Sequence, residues 1–389
     1  VPKLRFAEFT DEWEVKELKE VCEINPKNSI LPNLFIYIDL ESVNNGVLMK
    51  ENQLYSVDAP SRAQRILKKN DILFQMVRPY QKNNFFFHLD GNYVASTGYA
   101  QIRTQQDSQY IFQYLHNQKF VDKVIDRCTG TSYPAINSTD LSKIPIFITS
   151  IQEQQKISSL LKLTDCRIAT QKKIIEGLQT SKLSLSNKIF TRKLRFKDSN
   201  DKTFPDWSYK TLGEVGEIIN GLTYSPNDIN EYGVLVLRSS NVHNRALVLN
   251  DNVFVKAINF NAVKENDILI CVRNGSKNLI GKNTIIKKEN EGLAFGAFMS
   301  VYRSDYNKFI YQWFDTNDYK EIVKKNLGAT INSINGSDLK KFKIPFPSLE
   351  EQKKIANFLK YLDDKINLEI ELLSKYENQK KYLLKNLFV

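Results

Sequence analysis

Arg78 and Arg273 each close a copy of one short segment: N-D-I-L opens both "NDILFQMVR" (70–78) and "NDILICVR" (266–273). A guanidinium carries forked donors in fixed geometry, so it can pair bidentately with a carboxylate, a phosphate or a base edge. Two roles are open to each arginine: a salt bridge that closes its own strand, or a contact to an outside partner. Bond-making chemistry has less support. His88, His116 and His243 stand isolated, which argues against a histidine-based triad or a metal cluster. Cys22, Cys128, Cys166 and Cys271 are scattered with no C-x-x-C pair, as expected of reduced thiols rather than a zinc site or disulfide framework. No G-x-x-x-x-G-K-[ST] or G-x-G-x-x-G phosphate loop occurs. The N-P-P-F type tetrapeptide of an amino-methyltransferase is missing, since "NPKN" (25–28) is not one, and no D…E-x-K nuclease cluster falls in a strand context. The expectation is a chain that catalyses nothing by itself.

The net charge of +11 favours an anionic partner, nucleic acid first, although a Lys-rich composition from an AT-rich genome gives the same excess. Apolar residues make up 42% and charged residues 25%, as in soluble globular proteins. No stretch approaches the roughly 18–20 apolar residues that span a bilayer, and "VPKLRFAEFTDEW" at the start holds no signal-peptide core. A cytoplasmic protein without a membrane partner is expected.

At 389 residues the chain is long enough for two domains or more, and its sequence is a duplication. "SIQEQQKISSLL" (150–161) returns as "SLEEQKKIANFL" (348–359), a shift of 198 positions from Ser150 to Ser348. Asp140-Leu141 and Asp338-Leu339, Asp165 and Asp363, and Phe190 and Phe388 keep the same shift. "GTSYPAIN" (130–137) likewise faces "GATINSIN" (328–335). Looser echoes join "DEWEVKELKEV" to "PDWSYKTLGEV", and "KLRF" occurs at both 3–6 and 193–196. Each half is thus a variable globular unit followed by a better-conserved helical arm.

Both arms open with a Ser-x-x-Glu capping box, Ser150 to Glu153 and Ser348 to Glu351, shortly after Pro145 and Pro347. The first arm carries Ile157, Leu160, Leu161, Ile168, Ile175, Leu178, Leu185 and Ile189 at helical spacings. The second carries Ile355, Phe358, Leu359, Leu362, Ile366, Ile370, Leu373, Leu383, Leu384 and Leu387. Neither contains proline, and a one-sided stripe sustained this long predicts a coiled coil. The simplest arrangement buries the two stripes against each other, antiparallel; two helices folded back on their own domains are the alternative. The globular units are expected to be mixed and strand-rich, with "LFIYIDL", "NNFFFHL", "GVLVLRSSNV" and "KNTIIKK" as strands. Phe85, Phe86 and Phe87 suit a buried strand better than a base-stacking platform. "QYIFQYLHNQKFVDKVID" and "KFIYQWFDTNDYKEIVKKN" each predict a single amphipathic helix. The expected architecture is α+β: a first recognition domain (1–149), a central helix (150–191), a second recognition domain (192–347) and a C-terminal helix (348–389), with pseudo-twofold internal symmetry.

A doubled globular unit, each copy followed by S-x-x-E-Q-x-x-I at the head of a long helix, resembles the specificity subunit of type I restriction-modification systems. The resemblance spans essentially the whole chain. "NDILFQMVRPYQKN" and "APSRA" (59–63) are similar to its first target-recognition domain, and "GLTYS" (221–225), "LRSSNV" (237–242) and "NDILICVRNG" to its second. It implies a non-catalytic DNA-recognition subunit in which each domain reads half of a split double-stranded DNA site. The paired helices would set the gap and hold two methyltransferase subunits, and motor-nuclease subunits would join for cleavage. No cofactor is expected in this chain, with S-adenosylmethionine, ATP and magnesium carried by the partners. A DNA-binding or scaffold protein unrelated to restriction, using its helices only to dimerise, is the alternative.

On this reading the contacts come from Arg, Lys, Asn and Tyr in loops, because base edges need forked donors and phosphates need cations. The candidates are Arg62, Arg65, Arg78, Tyr80, Lys82 and Tyr133 in the first unit. In the second they are Arg238, Asn241, Arg245, Arg273, Asn274, Lys277 and Lys282. For the helix seam and partner contacts they are Ile157, Leu160, Leu161, Ile168, Ile355, Phe358, Leu359, Leu362 and Ile366.

Overall fold

The computed structural model describes residues 1–28, 30–256, 259–327 and 332–389, so the 328–331 part of the "GATINSIN" echo lies outside the described residues. The chain divides into two compact units, one built from 1–173 with 371–389 and the other from 174–370. Both units follow one plan. In the first, an antiparallel sheet runs Cys22–Ile24, Tyr99–Thr104, Ile72–Gln75, Phe85–Phe86. A second sheet runs Asn52–Tyr55, Leu34–Ile38, Tyr93–Ser96, Ala63–Ile66, with Tyr93–Ser96 parallel to Leu34–Ile38. The second unit repeats the first of these as Glu217–Asn220, Met299–Arg303, Ile268–Cys271, Asn283–Ile285. Its other sheet runs Ile229–Asn230, Phe254–Val255, Val234–Leu237, Ala294–Phe295; it keeps the parallel pair and its antiparallel neighbour, but the fourth strand is added at the opposite edge. A two-stranded ribbon before each arm pairs Glu14–Glu17 with Pro145–Ile148, and Ser208–Thr211 with Lys343–Phe346. Phe85 and Phe87 are buried, as expected of a strand rather than a stacking platform.

The two segments expected to be single helices are each broken in two: Ser108–Tyr114 and Gln118–Ile125, then Asn307–Trp313 and Asn317–Lys325. The break has a local cause. The side chains of Asn117 and Thr316 accept from Lys119 N and Tyr319 N, so each starts a new helix where an amphipathic pattern alone reads straight through.

The arms are continuous helices, Ile151–Phe190 and Leu349–Asn386, each contributing to both units. Along the first arm the side chains turned inward fall at 157, 161, 164, 168, 171, 175, 178, 182, 185 and 189, alternating steps of four and three. The second arm repeats this 198 positions on, from Ile355 to Leu387. That is the heptad spacing of a coiled-coil seam. Within the first unit the arms run antiparallel: Lys172 meets Glu377 (3.2 Å), Lys380 meets Asp165 (2.5 Å), and Ile157, Leu160 and Leu161 join Leu383, Leu387 and Phe388. Within the second, Lys182 meets Asp363 (2.5 Å), while Ile189 and Phe190 join Ile355, Phe358, Leu359 and Leu362. Ile366 is buried and Ile168 half-buried, but Ile370 is turned out to solvent.

The seam is less apolar than the stripe predicts, since Thr164, Gln171 and Lys182 occupy inward positions. Lys182 is held by Asp315 (2.9 Å) as well as Asp363. A matching joint ties each globular unit to its helices. Gln113 Nε2 donates to Asp165 (2.7 Å) in one, and Gln312 Nε2 to Asp363 (3.2 Å) in the other.

The capping boxes are only half formed. Glu153 N and Glu351 N donate to Ser150 Oγ and Ser348 Oγ at 3.3 and 3.4 Å. The carboxylates turn away to arginines of the "KLRF" segments. Arg5 grips Glu153 through Nε and Nη2, both at 2.8 Å. Arg195 grips Glu351 at 3.2 and 2.9 Å, joined by Trp207 Nε1 at 2.8 Å. The recurrence of "KLRF" therefore anchors each arm's first turn. Among the described residues no helix is long and apolar enough to cross a membrane.

Candidate nucleic-acid interface

The N-D-I-L segments place the sites. Their Ile and Leu form buried central strands, and their Asp ends each strand in a buried ion pair. Asp71 takes Arg103 Nε and Nη2 at 2.8 and 2.7 Å; Asp267 takes Arg303 in the same way at 2.9 and 2.7 Å. The strand-closing salt bridge thus belongs to Arg103 and Arg303, which the sequence reading passed over. Among the described residues neither Arg78 nor Arg273 enters a salt bridge.

The two arginines are not at matching positions. Met76 N donates to Gly98 O and Ile136 N to Met76 O; Val272 N donates to Phe298 O and Ile334 N to Val272 O. Val272 therefore stands where Met76 stands, and Arg273 matches Val77 while Arg78 matches Asn274. The first segment has one more residue between N-D-I-L and its arginine. Both arginines still leave the same strand end, one residue apart, and both rest on exposed aromatic rings. The Arg78 guanidinium lies 4.2 Å from the Tyr133 ring centre, and that of Arg273 5.6 Å from Phe298. Arg78 holds a left-handed backbone (φ 52°) before the Pro79–Gln81 turn, which exposes Tyr80. Such a conformation is costly for a non-glycine residue and collects at functional sites.

The remaining candidates divide sharply. Arg62 and Lys277 are exposed. Arg238 pairs with Asp251 (2.7 Å), while Asn274 Nδ2 and Lys282 Nζ converge on Ser239 at 2.9 and 3.0 Å. Lys82 Nζ donates to His116 O (3.0 Å) and Gln118 Oε1 (2.8 Å). Three residues are engaged inside their units instead of standing free at the surface. Arg65 lies half-buried on the Ala63–Ile66 strand, where burial lowers its pKa. Asn241 is 0% exposed, accepting from Arg238 N and donating to Val248 O and Asp251 O. Arg245 spends its guanidinium on Asn283 Oδ1 (3.0 Å), Tyr311 O (2.7 Å) and the Tyr311 ring (3.7 Å). Polar type marked these three, but a satisfied internal network uses the same residue types as a reading surface.

Half-buried in the first unit, His116 donates Nδ1–H to Phe112 O (2.7 Å). Burial pushes its pKa down to about 4, Lys380 and Lys82 adding repulsion against the pull of Phe112 O and Asp165. The unfolded chain therefore takes up this proton first, near the ordinary 6.5. Stability is full above that value, falls as pH drops towards 4, and stays lower by roughly 3 kcal/mol below it. Denaturation midpoints between pH 7 and 4 should show that slope in the native chain and lose it in His116→Gln; equal slopes would contradict the assignment. No cluster of three or more His, Cys, Asp or Glu suited to a metal ion occurs among the described residues, and all four cysteines are free.

Two copies of one mixed α/β unit, each presenting an arginine on an exposed ring and joined to antiparallel heptad helices, define a double recognition module. The chain belongs to the family described as the type I restriction modification DNA specificity domain, which matches residues 10–180 and 205–378. Its role is that of a non-catalytic DNA-recognition subunit, and these comparisons give no support to a scaffold unrelated to restriction. The putative type I restriction enzyme MjaX specificity subunit of Methanocaldococcus jannaschii is 25% identical over 98% of this chain and 94% of that protein. The S subunit of a type I restriction-modification system from M. genitalium shares the fold, with a TM-score of 0.58 at 18% identity over 100% of this chain and 99% of that one. So does a chain from a study of complex assembly and conformational transition in the type I R-M system, with a TM-score of 0.59 at 22% identity over 96% of each chain.

Proposed function

We propose that the two units read the two halves of a bipartite double-stranded DNA site and that the helices fix the gap between them. Two methyltransferase subunits dock on the helices, and motor-nuclease subunits complete a cytoplasmic restriction complex. S-adenosylmethionine, ATP and magnesium act in those partners. The observation that carries this is the recurrence of an arginine on an exposed aromatic ring at the same strand end in both units, with no salt bridge at either arginine among the described residues. Unbroken helices contributing to both units suit a spacer better than a flexible linker does, and linked readers raise each other's effective concentration. Outward-facing Leu163 and Tyr361 occupy equivalent places on the two arms, as docking of two copies of one partner requires.

The test is Arg273→Ala in the chain co-expressed with its methyltransferase subunits. Lost base readout should cost about 1–3 kcal/mol and relax one position of one half-site in a genome-wide map of methylated adenines, with assembly intact. An unchanged motif and unchanged DNA affinity would overturn the reading for this residue.

A further inference from the structure

Phe298 was not among the residues picked out by polar type, yet its setting is built. The chain reverses at Gly296–Phe298, and backbone hydrogen bonds fix that turn from several sides. Gly296 N donates to Leu237 O (3.0 Å), Ala297 N to Leu222 O (2.9 Å) and Met299 N to Gly296 O (2.8 Å). Phe298 O accepts from both Val272 N (3.0 Å) and Arg273 N (3.1 Å). Gly221 allows this approach, because a Cβ there would lie 2.3 Å from Gly296 O. The glycine of "GLTYS" is thereby accounted for: it braces the turn.

On that rigid turn Phe298 is 57% exposed, with the Arg273 guanidinium beside its ring. Single exposed apolar residues are common. This one differs because its backbone is already ordered and a cation shares its face, so contact with a partner costs little further entropy. The first unit reaches the same arrangement by another route. Gly98 stands where Phe298 stands, and the ring comes from Tyr133, 64% exposed, in a separate loop. Two units that differ in sequence here both place a ring against an arginine at this strand end.

Resting on the DNA-reading function above, we propose that Phe298 is a specificity-determining residue of the second unit. Its ring meets the 5-methyl group of a thymine in the major groove while Arg273 pairs with the adjoining base edge. Thymine is the base that offers an apolar group there, and side chains such as phenylalanine recognise it by contact. Tyr133 carries a hydroxyl that donates and accepts, so the first unit reads a different pattern at the corresponding place.

The experiment uses the assembled complex on the duplex its methylation map defines, with deoxyuridine replacing each thymine of the second half-site in turn. Uracil keeps every hydrogen bond of thymine and lacks only the methyl group. One replacement should weaken binding by the native complex about tenfold. Phe298→Ala should bind the thymine duplex about tenfold more weakly and be indifferent to that replacement, while Phe298→Leu keeps part of the discrimination. If no replacement weakens the native complex, or if Phe298→Ala stays as sensitive as the native chain, the proposal is wrong. Failure of the underlying function would look different, since the native complex would then select no bipartite duplex at all.

Discussion

Glu351→Ala is expected to destabilise the second unit by about 3–5 kcal/mol, the range for stripping one partner from a buried ion pair. Glu351 is 0% exposed and holds Arg195 through two nitrogens and the Trp207 indole through a third. Removing the carboxylate leaves a guanidinium and an indole N–H without their acceptor, at the point where the second arm enters the unit. Arg195 Nη2 also reaches Phe204 O (3.0 Å) and Pro205 O (2.7 Å), so the same loss frees the segment leading into the unit's first strand. The check is the denaturant midpoint of the purified chain beside Glu350→Ala, an exposed neighbour that should stay within about 0.5 kcal/mol of the native protein. Equal midpoints for the two variants would mean that the anchor is not what holds the arm. Glu153, gripped by Arg5 and hydrogen-bonded to Thr149, should behave as Glu351 does for the first unit.

The second large effect concerns the gap. Removing residues 167–173 from the first arm and 372–378 from the second takes one heptad from facing stretches. The 4-3 seam then closes again in register, with Asp165–Lys380 kept. One heptad is about 10 Å of helix, or about three base pairs of duplex at 3.4 Å each. If the arms are the spacer, the methylated motif should keep both half-sites while its gap shortens by about that much. A variant that assembles and still modifies sites of the native spacing would refute a spacer role. Deleting the heptad from one arm alone should instead abolish assembly, because every later seam residue of that arm would face the wrong partner.

What could be read from the sequence follows from how local each signal is. The arms were legible because a heptad stripe and a 198-residue shift need no knowledge of the fold. Their polar seam was not, since an apolar pattern overlooks Lys182 and Gln171, although the spacing alone includes them. The recurrence of "KLRF" was visible but unexplained, because its arginines act on glutamates roughly 150 residues away. The capping boxes were half right for the same reason: the glutamates have a stronger, distant partner than their own serines.

The proposed recognition surface can be reached from the sequence as chemistry but not as geometry. Arg78 and Arg273 do stand half-exposed and exposed at strand ends, with Tyr133 exposed in a separate loop, but one extra residue in the first copy shifts the arginines out of register. Asn241 and Arg245 look like readers by type and serve the interior instead. Phe298 escaped because a phenylalanine next to a strand reads as core. Only the pinned turn shows that its ring faces outward.

The most direct measurement is of which DNA the assembled complex marks. Genome-wide mapping of methylated adenines, after co-expression of this chain with the methyltransferase subunits proposed for it, should return a single asymmetric motif: two unlike half-sites separated by a fixed run of unread bases. One uninterrupted motif, or the same motif with the chain left out, would contradict it.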